Sequence, residues 1–371
     1  MASRLSLTDF TGRSVSVVLA DKTRLCDYDQ YLPVLVDQLE LFGAEPKKIT
    51  FFIAYGTHLP QSRSESRDAY GEVFSRYRFV HHECANETLF QKMGCSSRGT
   101  VIRLRKDILQ SDYLITFGAI SHHYFAGYGG GRKLIFPGLG HRDAIYQNHS
   151  LFLDKKSRAL SKACRPGMVK GNPLAEDLAE IESTKTADMA VHGILNSHGQ
   201  VCRLLVGTNK ADFLKACHLH SQHCEVRSDE RYAMVAASCG GHPKDINFIQ
   251  AHKAIHNAAD FVADGGLLIV FARCPDGVGS KTFLPWFQMG GRDAAFERLL
   301  DAYAGNGGTA LAMMEKTERV RIHLVTDLSS DLCKIIGVEK MDESLAAQKI
   351  MRHKGSLAVL PNASLLVRKC G

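Results

Sequence analysis

Seven strand-length apolar runs, separated by polar segments and by stretches of helical period, constrain this chain more than any other feature. Ser14–Ala20 (SVSVVLA), Lys48–Ala54 (KITFFIA), Tyr113–Phe117 (YLITF), Met189–Ile194 and Cys202–Val206 come first, and Arg231–Ala237 (RYAMVAA) and Gly266–Ala272 (GLLIVFA) follow. Between them, Tyr31–Phe42, Pro173–Ile181, Ala211–His218 and Ile246–Phe261 place apolar residues at helical spacing, and Asn86–Lys92 and Arg103–Gln110 read as shorter helices. Near-continuous apolar strands alternating with helices predict an α/β fold with mainly parallel sheets. A length of 371 residues suits two such domains. The polar stretch Ser221–Glu230 places the boundary near His223, giving domains 1–222 and 223–371.

Composition narrows the class. Lys and Arg total 46 against 39 Asp and Glu, a net charge of +7 too diffuse for a nucleic-acid binder but compatible with a cleft for a small anion. The longest aliphatic runs are far shorter than the ~20 residues of a membrane span, so no membrane partner is expected. Met1–Phe10 lacks an apolar signal core, and the 11 cysteines form no Cys-x-x-Cys pair. Both point to a cytoplasmic chain with idle thiols rather than a disulfide framework or thiolate zinc site.

In open α/β sheets ligands bind beyond the carboxyl ends of the strands. Here those ends carry Asp21-Lys22-Thr23-Arg24, then Tyr55-Gly56-Thr57-His58, then Gly118-Ala119-Ile120-Ser121-His122-His123. If the three strands are parallel neighbours, Asp21, Arg24, His58 and His123 meet. The stretch from Ser121 to His149 holds six glycines and too many apolar residues for disorder, so it reads as a long structured loop that ends in a short helix bearing His149. Its Gly127-Tyr128-Gly129-Gly130-Gly131-Arg132-Lys133 run fails both nucleotide fingerprints: Arg132 precedes Lys133 and Leu134 follows it, and no glycine stands three residues after Gly129. The glycines permit close approach of the backbone to something bulky and flat. Lys133, beside Leu134 and Ile135, is either a partly desolvated lysine available for covalent attachment or a surface lysine after a glycine hairpin. His149 is a metal-ligand candidate, but one histidine needs further donors. His81-His82-Glu83 lies on a strand whose adjacent side chains face opposite ways, which argues against a metal cluster. Cys274–Ser280 follows a strand end and is either a second-domain lip of the cleft or a plain turn.

Together these residues resemble the nickel-pincer-dependent lactate racemases and related 2-hydroxyacid racemases and epimerases. The resemblance runs from Asp-x-Thr-Arg at 21–24 through Gly-Thr-His at 56–58 and His-x-Phe-Ala-Gly-Tyr-x-Gly-Gly-x-Lys at 123–133 to His149, and on to Pro243–Asn247, Gln250 and Lys253. It implies two α/β domains with an active-site cleft between them, the first catalytic and cofactor-binding. It implies a nickel-pincer nucleotide (pyridinium-3-thioamide-5-thiocarboxylic acid mononucleotide) covalently on Lys133, bedded by Gly129, Gly130 and Gly131, with His149 as a nickel ligand. His58 and His123 would be paired acid/bases while hydride leaves C2 of the substrate for the cofactor and returns to the other face. Asp21, Arg24, Gln250 and Lys253 would bind a small anionic 2-hydroxyacid, and cofactor-synthesis enzymes would be partners. The alternative is a non-catalytic homologue that binds a 2-hydroxyacid or the nickel cofactor. Three departures stand out: Ile249 where a tyrosine is common, Arg132 where a small residue is, and Gly129 where a serine is. An added arginine beside the site would suit a larger or more anionic acid.

Overall fold

The computed structural model describes residues 2–208 and 210–369, and Cys370 lies outside them. The chain divides into two compact units, Met1–His149 with Gly167–Ser221, and Ser150–Pro166 with Gln222–Gly371.

The first unit is built on a six-stranded sheet: β1 (Val15–Ala20), β2 (Ile49–Ala54), β3 (Arg78–His81), β4 (Tyr113–Ala119), β5 (Met189–Leu195) and β6 (Val201–Gly207), in the spatial order β6-β5-β4-β1-β2-β3. Every pairing is parallel except β5 with β6. All six residues of β1 are buried, as befits a central strand covered on both faces. The chain steps from β1 through β2 to β3 on one side, then returns to lay β4 on the other. The carboxyl ends of β1 and β4 therefore flank the point where strand order reverses, which is where such sheets leave a crevice. Tyr28, which opens the helix Tyr28–Leu41, accepts from the Ala20 amide at 3.0 Å and donates to the Phe117 carbonyl at 2.8 Å, so its hydroxyl stands between β1 and β4 near their ends. Leu32, Leu35, Val36 and Leu39 bury the same helix face at helical spacing.

The second unit carries a five-stranded, all-parallel sheet of β7 (Tyr232–Ser238), β8 (Val262–Phe271), β9 (Arg321–Val325), β10 (Glu339–Lys340) and β11 (Leu357–Leu360), in the order β10-β9-β8-β7-β11. Ser150–Pro166 is held to this unit by long-range bonds, among them Leu160 N–H to the Glu315 carboxylate at 2.8 Å. Among the described residues no helix is long and apolar enough to cross a membrane.

Two expected helices are revised. Asn86–Lys92 is a 3-10 turn, Glu87–Leu89, running into the strand Phe90–Cys95. That strand pairs antiparallel with Val101–Arg105, leaving only Lys106–Gln110 helical in the next segment. Burial of Ile102 and Leu104 on one side follows a period of two, and a strand, not a helix, buries such a pattern.

Buried histidines make the first unit acid-sensitive. His82 and His192 are each 2% exposed, and burial above all pushes both down to about 4. Between the unfolded value of ~6.5 and this folded value the unfolded chain binds more protons, so stability falls as pH falls; from pH 7 to 5 each group costs about 2 kcal/mol. Urea melts at the two pH values are expected to differ accordingly, with a smaller difference in His192→Gln; equal midpoints in the wild type contradict this account.

Candidate active site

The Asp21 carboxylate is the hub of the site. It follows β1 directly, is 3% exposed, and accepts at Oδ1 from the Thr23 amide at 2.8 Å, the Asx turn that an Asp-x-Thr sequence favours. Its other oxygen, Oδ2, lies 2.7 Å from Nδ1 of His58 and 3.9 Å from a guanidinium nitrogen of Arg24. Burial opposes ionisation of this carboxyl, but the His58 bond and the Arg24 charge outweigh it and hold Asp21 well below the usual carboxylate range. An ionised Asp21 can only accept, so His58 carries a proton on Nδ1, and in the neutral ring Nε2 keeps its lone pair. Both His58 and Arg24 remain open to solvent, with side chains 44% and 39% exposed.

His123 is held the opposite way. It ends the strand Ser121–His123, which begins just beyond β4 and pairs antiparallel with Gly127–Gly129. Its Nδ1 accepts from the backbone amides of Phe125 at 3.2 Å and Ala126 at 3.1 Å. Neutral His123 therefore carries its proton on Nε2.

Lys133 and His149 sit on two short helices, Arg132–Ile135 and Arg142–Ser150. The Lys133 carbonyl accepts from the Gly138 amide at 2.9 Å, and the Gly138 carbonyl accepts from the Gly56 amide at 2.9 Å. This backbone chain ties the lysine's helix to the loop that carries His58. Gly138 has no room for a side chain, since a Cβ there would stand 2.3 Å from the Leu134 carbonyl oxygen. Burial first, then the Lys133 charge and more weakly His58, push His149 down to about 3. It is thus a neutral imidazole at physiological pH, the form that ligates metals.

Gly129, Gly130 and Gly131 lie against the chain itself. A Cβ at Gly130 (φ +77°) would stand 2.3 Å from the Ala119 carbonyl, and one at Gly131 (φ +51°) 2.6 Å from the Phe213 ring. Gly130 and Gly131 let the backbone turn from the hairpin into the Lys133 helix in the left-handed region. Arg132 precedes Lys133 on a four-residue helix, where neighbouring side chains diverge by about 100°. Its guanidinium is buried over the Phe213 ring, 4.7 Å from the centroid. The sequence-based link between Arg132 and a larger substrate has no support in this placement.

Gln250 and Lys253 belong to the second unit, on the helix Phe248–Ala259 after β7, where Lys253 Nζ donates to Gln250 Oε1 at 2.5 Å. The Asn247 side chain caps that helix through the Gln250 amide at 3.0 Å. His81 and His82 turn to different partners, the Tyr55 hydroxyl and the Gly140 carbonyl, as alternation requires. Ser280 accepts from Asn306 and holds a turn. Burial raises the thiols of Cys26, Cys217 and Cys274 to about 12, far from reactive. Thr23 and Gly138 also shape the site; the Asx-turn pattern in the sequence signals the first, and nothing local signals the second.

A mainly parallel α/β sheet whose strand ends carry a buried carboxylate bonded to a histidine, with further polar residues in the loops beyond, defines the class of protein, and comparison identifies the family. Residues 3–161 match the lactate racemase N-terminal domain and residues 228–367 the lactate racemase C-terminal domain. The chain belongs to the lactate racemase family. It is 28% identical over 279 residues to the lactate racemase of Thermoanaerobacterium thermosaccharolyticum, covering 74% of this chain and 63% of that protein. To the lactate racemase of Lactiplantibacillus plantarum it is 26% identical over 271 residues, covering 73% of this chain and 62% of that one. The matched region is thus less than two thirds of either curated relative. The fold agrees with the lactate racemase apoprotein from T. thermosaccharolyticum at a TM-score of 0.88 and 22% identity, over 99% of this chain and 88% of that one.

Proposed function

We propose that this chain is a nickel-pincer-dependent racemase or epimerase acting at C2 of a small 2-hydroxyacid. The observation that carries the reading is the pair of histidines held with opposite proton arrangements: His58 with a lone pair on Nε2, His123 with a proton there. Inversion needs a proton taken from the substrate hydroxyl on one side and a proton given to the keto oxygen on the other. In one direction His58 Nε2 accepts the hydroxyl proton, and Asp21 stabilises the imidazolium that results. After the keto acid turns over, His123 as imidazolium donates from Nε2 to the new hydroxyl oxygen and leaves neutral, and for the other enantiomer the two exchange duties, neutral His123 accepting at Nε2 and the His58 imidazolium donating. Imidazole suits both tasks near neutral pH.

The residues present fit the family's cofactor. Lys133 offers an amine for covalent attachment, and His149, kept neutral by burial with the lysine charge close by, offers a nitrogen ligand to nickel. When bound, a nickel-pincer nucleotide supplies the acceptor for the C2 hydride. Gly129, Gly130 and Gly131 serve it by setting the turn that leads into the Lys133 helix. Arg24 binds the substrate carboxylate with its exposed guanidinium, and Asp21 holds Arg24 and His58 in place. Gln250 and Lys253 add substrate contacts, Gln250 to the keto oxygen and Lys253 as a further cation. The enzymes that build the cofactor are the expected partners.

The test is a panel of single-enantiomer 2-hydroxyacids, lactate included, with protein from cells that make the cofactor. Inversion of at least one acid is expected, and Arg24→Ala is expected to raise KM for it by about ten- to a hundredfold, the worth of a charge-assisted pair. No inversion of any acid by cofactor-loaded protein contradicts the proposal.

A further inference from the structure

The second unit carries a basic groove that the reaction above does not use. It opens at the amino-terminal end of the sheet, whereas Gln250 and Lys253 follow the carboxyl end of β7. Its volume is about 560 Å³, within the range of small-molecule sites. Leu345, 51% exposed, forms its apolar wall, with the buried Met234 and Leu267 beneath as its floor. Arg321 at the start of β9, with Lys349, Arg352 and Lys354 from the last turn of the helix Glu343–Met351 and the residues after it, supply its charge. No carboxylate lines the groove.

These four cations stand together without a counter-charge. Among the described residues none of them forms an ion pair or a side-chain hydrogen bond, although most other arginines of this unit do: Arg231 and Arg319 share Asp264, Arg273 meets Asp327, and Arg292 meets Glu318. Glu339, on the edge strand beside β9, is 3.4 Å from His323 and is not paired with the groove. A helix carboxyl end favours a cation or two in its last turn, but it does not call for Arg321, which comes from another element. Four uncompensated positive charges around one concavity focus a potential that attracts a multiply charged anion, and arginine and lysine are the side chains that hold phosphate. The apolar wall asks for a ligand with a flat or greasy part as well as the anionic one.

We propose that this groove binds a nucleoside polyphosphate, with the phosphates on Arg321, Lys349, Arg352 and Lys354 and the base against Leu345. The ligand class follows from the pairing of the two surfaces: inorganic phosphate uses only the cations, and an apolar molecule only the wall. Binding here is separate from turnover, since none of these residues is part of the site in the first unit.

The experiment is calorimetric titration of the full-length chain with ATP, AMP, inorganic phosphate and a short single-stranded RNA. One ATP per chain is expected, at least about tenfold tighter than AMP or phosphate, weakening with added salt as phosphate contacts do. Arg321→Ala and Arg352→Ala are each expected to weaken ATP binding by about tenfold, the worth of one charge-assisted contact, without moving the melting temperature. ATP heats that are absent up to about 2 mM, the range of marginal affinity, overturn the proposal. So does equal affinity for ATP and phosphate, unchanged affinity in both variants, or binding of RNA without ATP. Loss of racemisation in a cofactor-free preparation leaves every one of these readouts intact, so failure here and failure of the proposed activity are distinguishable.

Discussion

Asp21→Asn is expected to lower kcat for inversion by about 10² to 10⁴, the range spanned by acid/base catalysis, in a protein that keeps its fold. The size follows from which atoms face which. Thr23 donates its amide to Oδ1 of Asp21, so an asparagine there turns its carbonyl oxygen toward Thr23 and its amide nitrogen toward His58. His58 Nδ1 must then accept rather than donate, which moves the imidazole proton to Nε2. His58 would present a proton where the mechanism requires a lone pair, matching His123 instead of complementing it. The carboxylate that stabilises imidazolium is lost in the same change. Because Oδ2 lies 2.7 Å from His58 and 3.9 Å from Arg24, KM also rises as the arginine loses its anchor, though by less than kcat falls. Steady-state kinetics checks the rate, and nitrogen chemical shifts of the His58 ring check the cause. A variant within threefold of wild type, with Nδ1 still protonated, refutes the assignment of Asp21.

The second large effect separates the two histidines by enantiomer. His58→Ala and His123→Ala should each reduce inversion by about 10² to 10⁴, since either direction needs one histidine to take a proton and the other to give one. Their half-reactions should differ. Each variant retains the base for one hand of the substrate, so each should still produce trapped 2-keto acid from one enantiomer and fail with the other, in mirror-image fashion. A double variant should lose both. If the two single variants lose keto acid formation equally from both enantiomers, the histidines do not divide the work as their hydrogen bonds suggest.

Much of this site was legible in the residues because chemistry at strand ends is local. Asp21, Thr23 and Arg24 follow one strand within four positions, and a buried apolar strand announces where its loop begins. The parallel pairing of β1 with β2 and β4 makes neighbours of loops that the sequence holds far apart, and the strand runs alone already suggested it. Strand order was not legible, because each apolar run is equally compatible with several positions in a sheet. The backbone link from Gly56 through Gly138 to Lys133 left no trace, since an amide-to-carbonyl bond across 82 residues depends on no side-chain pattern. The hairpin Phe90–Arg105 was hidden because its register shifts between Lys92 and Gly94, which interrupts the period of two. Arg132 misled for a geometric reason: one step along a helix carries a side chain to another face. Ser150–Pro166 joins the second unit through contacts such as Leu160 with Glu315, and no shift in composition marks its departure from the first.

The proposed activity requires Lys133 to carry the group on which inversion depends and His149 to help hold its nickel. Intact mass and metal content of the chain, purified from cells that also express the cofactor-making enzymes, test it most directly. An added mass that peptide mapping places on Lys133 is expected, with about one nickel per modified chain, the adduct lost in Lys133→Ala and the nickel depleted with the adduct retained in His149→Ala. An unmodified Lys133 without nickel under those conditions, or an adduct that survives Lys133→Ala, contradicts it.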